Sequence, residues 1–96
     1  METRIAIYNE KAFTSKGQLK KNAKAEFQTI KTNYKAEEMA DYIKYLGYKD
    51  FKTPYFFTHI EATSPYSGER VKIFQDVNLN GSWIITTPQK LITFLA

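Results

Sequence analysis

The sequence predicts an α+β fold, an antiparallel sheet of three to four strands packed with two or three helices. Three observations predict it. Residues 55–86 alternate in polarity and are interrupted at Ser64–Glu69 and Asn80-Gly81, as a three-stranded β-meander would be. Residues 35–46 place Met39, Tyr42, Ile43 and Leu46 on one helical face. Arg4-Ile5-Ala6-Ile7-Tyr8 reads as a short additional strand.

After that strand, Asn9 and Glu10 break the pattern, and Thr14-Ser15-Lys16-Gly17 is loop chemistry. Over 18–31 two readings compete. Leu19, Ala23, Phe27 and Ile30 fall at helical spacing, which favours a helix; the partial alternation of Glu26–Ile30 makes a strand instead. Thr32-Asn33 is a polar cap for the 35–46 helix, Glu37 and Glu38 suit its positive end, and Gly47 stops it. Residues 48–53 read as a connection, and Pro54 opens the meander. Thr87-Pro88 is a helix-start pair, followed by an apolar side of Leu91, Ile92, Phe94 and Leu95.

Strand parity divides the meander into two faces. Phe56, Thr58, Ile60 and Ala62 share one with Val71, Ile73, Gln75, Val77, Ile84 and Thr86. This face is assigned to the core, under the 35–46 helix. The other carries Tyr55, Phe57, His59, Glu61, Arg70, Lys72, Phe74, Asp76, Trp83 and Ile85. A two-residue Asn80-Gly81 turn pairs Asn78 with Trp83 and Asp76 with Ile85. The first hairpin has two registers: His59 lies opposite Phe74 or opposite Asp76. The Trp83 face needs cover, either from the 18–31 or C-terminal helix or from a partner.

Length and composition set the limits. The 96 residues form a single compact domain, 1–96, because a second would lack a core of its own. No apolar run approaches the ~18 residues that would span a membrane as a helix, and the N-terminus lacks the pattern of a signal peptide. The chain has no cysteine, which excludes disulfides and thiolate sites and fits a cytoplasmic location. The net charge of +4 is uneven, since residues 11–35 hold seven lysines against one acid, Glu26. Those lysines suit phosphate contact rather than base reading. On a helical 18–31 segment Lys16, Lys20, Lys24 and Lys31 form a stripe with Lys21 beside it, the candidate binding segment for a partner or phosphate. The second candidate is the aromatic sheet face, Phe57, His59, Arg70, Lys72, Phe74 and Trp83.

No catalytic residue, metal or cofactor is assigned. His59 is the single histidine, no serine lies in a G-x-S-x-G setting, and the four glycines are scattered. One enzyme class remains. The expected order of strand, two helices, three strands and helix is similar to the RelE-like ribonuclease toxins. That resemblance implies RNA cleavage, for which Arg70, Lys72, His59 and Glu61 are chemically suited. The favoured expectation is a non-enzymatic protein that binds a protein or nucleoprotein partner stoichiometrically. Small phage or plasmid proteins that inhibit host defence, anti-CRISPR inhibitors among them, fit that description. The first alternative is a basic nucleic-acid-binding protein using the 11–35 segment.

Overall fold

The computed structural model describes residues 2–21, 23, 26–30, 36–54, 59–86 and 89–95. In chain order the elements are strand β1 (Glu2–Asn9), a 3-10 turn (Glu10–Ala12), β2 (Glu26–Ile30), helix α1 (Ala36–Tyr45), β3 (Lys49–Lys52), β4 (Ile60–Thr63), β5 (Arg70–Leu79), β6 (Ser82–Thr86) and helix α2 (Gln89–Leu95). The fold is α+β, with a fully antiparallel sheet ordered β2-β1-β5-β4-β3 and β6 also paired to β5. The Cα radius of gyration, 12.7 Å, is that of a compact domain of this length.

β5 organises the sheet. β1 runs along one edge of it, from Glu2 opposite Asn78 to Asn9 opposite Val71. The other edge is shared end to end: β4 pairs with Arg70–Ile73 and β6 with Gln75–Leu79. The consecutive pairing expected of the meander is therefore present over 60–86, with β4 and β6 on the same side of β5 because β1 occupies the other. Glu61 lies opposite Lys72, the register that goes with His59 opposite Phe74, and Asn78 lies opposite Trp83. The β5–β6 turn puts Asn80 and Gly81 at φ 54° and 87°, the left-handed pair that a two-residue hairpin needs.

The core lies on one face. Ile5 and Ile7 of β1, Ile60 and Ala62 of β4, and Val71 and Ile73 of β5 pack with Met39, Ala40 and Ile43 of α1 and with Leu91 and Leu95 of α2. Both helices cover this face, and Lys44 Nζ donates to the Phe94 carbonyl between them at 2.9 Å. α1 follows its sequence pattern, and Gly47 after it has φ 99°. A Cβ on Gly47 would stand 3.0 Å from Pro65 Cβ, so the position needs both the conformation and the space.

Four expectations are corrected. The described residues of the 18–31 segment do not form the expected helix, because Glu26–Ile30 pairs with β1 as an outer strand. A β1 edge open to pairing, together with Thr29-Ile30, outweighs the helical spacing of Leu19 and Phe27. Residues 49–52 form a strand rather than a connection. Asp50 at φ 56° and a register shift against β4 break its alternation, which conceals it in the sequence. Neither the 18–31 segment nor α2 covers the Trp83 face as a helix; α2 lies in the core. Finally, Ile84 shares a face with Ile73 but is 46% exposed, because the helices do not extend over the end of the hairpin. Residues 55–58 of the expected meander, with Phe56 and Phe57, lie outside the described residues, as do Thr32, Asn33, Thr87 and Pro88.

Candidate binding face of the sheet

On the side away from the helices, β1 contributes Arg4, Ala6 and Tyr8, which stand opposite Asp76, Phe74 and Lys72 of β5. A loop folds back over them. Asn9 Oδ1 accepts from Lys11 N at 2.8 Å and starts the 3-10 turn, and Phe13 N donates to the Glu10 carbonyl at 3.2 Å. Thr14 N donates to the Gln18 carbonyl at 2.7 Å and Lys20 N to the Ala12 carbonyl at 2.8 Å, which ties Phe13 to Leu19 as a small bridge. Glu69 anchors the start of the loop, accepting from Asn9 Nδ2 and from Lys11 Nζ, the latter at 2.7 Å. These bonds hold Lys11 above its usual lysine range and Glu69 below its usual carboxylate range.

The loop places Phe13 on the sheet. Its ring lies 5.8 Å from Tyr8, edge on, and 6.0 Å from Phe74, nearly parallel at 28°. Tyr8 and Phe74 meet edge on at 5.9 Å, and His59 lies 5.3 Å from Phe74. Lys72 Nζ sits 4.2 Å from the centre of the Phe13 ring. Contacts of these kinds are worth about 0.5–1.5 kcal/mol each, so together they hold the loop down. Between loop and sheet is an open cleft of about 280 Å³, lined by Tyr8, Phe13, Gly17, Leu19, His59, Lys72, Phe74 and Ile85.

His59 is buried, 4% exposed, with Nε2 3.4 Å from Glu61 Oε2. Burial pushes its pKa below the ordinary value; the bond to Glu61 opposes that and the charge of Lys72 adds to it. Toward the hairpin, Arg4 Nε contacts Asp76 Oδ2 at 3.1 Å, and the Arg4 guanidinium lies 4.0 Å over the Trp83 ring. Asp76 is 5% exposed, and its Oδ1 is buried without a hydrogen bond among the described residues.

The structure thus brings His59, Lys72 and Phe74 together in the cleft and sets Trp83 beside it under Arg4. Arg70 has a different role. Its Nη1 donates to the Asp50 carbonyl at 2.7 Å and to Thr63 Oγ1 at 2.9 Å, fastening β3 to the sheet. Phe57, Lys24 and Lys31 lie outside the described residues or side chains. Lys16, Lys20 and Lys21 are exposed, but on the loop beside the cleft and not on a helical stripe. Tyr8, Phe13 and Arg4 were not among the expected site residues. The alternation of Arg4, Ala6 and Tyr8 was visible in the sequence, whereas the return of Phe13 onto β5 depends on tertiary contacts. The His59–Glu61 pair stands alone as a metal-type grouping, since no cluster of three or more such side chains occurs among the described residues. No helix among the described residues is long and apolar enough to cross a membrane.

No protein family, curated protein or solved structure matches this chain. The observed element order also differs from the one on which the ribonuclease-toxin resemblance rests, because a strand, β2, stands where its first helix was expected.

Proposed function

We propose that this chain is a non-enzymatic binding protein that acts stoichiometrically on a protein or nucleoprotein partner, docking it against the β5–β6 hairpin. The observation that carries this reading is the exposure of Leu79 (46%), Trp83 (37%), Ile84 (46%) and Ile85 (55%) within seven residues. The core closes without them, and a small domain rarely leaves such a group uncovered unless a partner meets it. Trp83 and Ile85 face one side and Ile84 the other, so the hairpin suits a groove that grips both of its faces. Exposed Lys16, Lys20 and Lys21 beside the neighbouring cleft would favour a partner whose rim is acidic or carries phosphate. A small inhibitor of host defence from a phage or plasmid, of the anti-CRISPR kind, is the class of protein that best fits a single domain with such a surface.

The test is affinity capture with the full chain and with an Ile84→Ser/Ile85→Ser double variant. The variant should unfold cooperatively, as the parent does, and lose the partner that the parent retains. A folded double variant that retains the same partner at equal yield would sink the proposal.

A further inference from the structure

We infer that the aromatic cleft is a site for one base of a single-stranded nucleic acid, with the flanking phosphates met by Lys16, Lys20 and Lys21. Size comes first. At about 280 Å³ the cleft lies below the range that holds a drug-sized ligand and suits a single flat ring system. Its walls are suited to a ring. Phe13 and Phe74 lie near parallel and Tyr8 stands edge on to both, so the cleft is lined by a cluster of aromatic rings against which a base can pack. Lys72 adds a cation to the same lining. Stacking of this kind tolerates any base, because every base has a π face.

Charge selects the strand over an apolar side chain of a protein. Several cations near the cleft are matched within the fold: Arg4 by Asp76, Lys11 by Glu69, and Arg70 by Thr63 and the Asp50 carbonyl. Lys16, Lys20 and Lys21, on the loop that forms one wall, make no side-chain hydrogen bond or ion pair among the described residues, and residues 11–21 contain no acid. Three such cations on the loop that carries Gly17 and Leu19 of the cleft wall match the phosphates on either side of a base within a strand. The inference does not depend on the hairpin reading, because the strand is measured with no protein partner present.

The probes are a fluorescein-labelled oligo-dT ten-mer, an oligo-U ten-mer, AMP and inorganic phosphate. They are titrated into the full chain at low salt, with amide NMR shifts followed alongside fluorescence anisotropy. At least one ten-mer should bind, shift Phe13, Gly17 and Phe74, and lose affinity steeply as salt rises. Leu19→Trp, which fills the cleft from an exposed position, should weaken that ten-mer at least tenfold, and so should a Lys20→Glu/Lys21→Glu pair. Both changes are at exposed sites, so folding is retained and checked by circular dichroism. The inference is overturned if neither ten-mer binds, or if shifts fall on the lysines alone and inorganic phosphate reproduces them. AMP binding as tightly as the ten-mers would overturn the strand in favour of a free nucleotide. Unchanged ten-mer affinity in a folded Leu19→Trp variant would overturn the cleft.

Discussion

Ile73 and Ile84 carry the same side chain on the same face of the sheet, and replacing each with Ala tests whether the hairpin end is truly uncovered. Ile73 is fully buried and Ile84 is 46% exposed. Ile→Ala removes three carbons, about 2.4 kcal/mol at about 0.8 kcal/mol per buried carbon. Roughly half of that, about 1.3 kcal/mol, applies at Ile84. Ile73 also leaves a cavity within the buried core cluster, which brings its cost to about 3 kcal/mol, within the range of about 2–5 found for such truncations. The loss of strand propensity is common to both and cancels in the comparison. The assay is urea unfolding followed by the fluorescence of Trp83, the one tryptophan. With a slope of about 1.5 kcal/mol/M, the midpoint should fall by about 2 M for Ile73→Ala and about 0.9 M for Ile84→Ala. Equal shifts would refute the reasoning: the hairpin end would then be covered by its own chain, and the docking surface would not exist.

Other outcomes follow from the same geometry. Arg4→Ala should cost about 3 kcal/mol in urea unfolding, because it strands the buried Asp76 carboxylate, and Asp76→Asn in that background should restore part of the loss. His59 titrates below 6.5 when folded, so between that lowered value and 6.5 the unfolded chain holds more protons. Stability should therefore fall as pH drops from 7.5 to 5.5, and His59→Asn should flatten the change in urea midpoint across that window. Gly81 sits at φ 87°, so Gly81→Ala should cost about 1 kcal/mol and lower the melting temperature in calorimetry by about 4–8 °C.

Much of the sheet was legible because side-chain alternation is a local property. The parity of 70–86 places Phe74, Trp83 and Ile85 on the face they occupy, and Asn80-Gly81 fixes their register. The α1 stripe and Gly47 stop were equally direct. Parity assigns a face, however, and not what lies over it. Ile84 points to the core side yet remains half exposed, since coverage depends on how far α1 and α2 extend. The spacing of Leu19, Ala23, Phe27 and Ile30 was misleading for a related reason. Whether 26–30 coils or extends is decided by an unpaired β1 edge that is distant in sequence. The cleft was half legible: His59, Lys72 and Phe74 follow from strand parity, while Phe13 and Leu19 reach it through loop bonds that no pattern announces.

The position of β1 has a consequence in time. It lies between β2 and β5, yet its partners on the β5 side are Val71–Asn78. Closing that pairing brings together ends separated by roughly 60–75 residues, a non-local step that slows folding more than the β1–β2 contact does. At a synthesis rate of about 5–20 residues per second, β1 must wait several seconds for the strand that flanks it. During that interval an inner strand of the finished sheet has an exposed edge, and a nascent chain of this protein is most vulnerable to mispairing at Ile5 and Ile7, both of them buried in the finished fold.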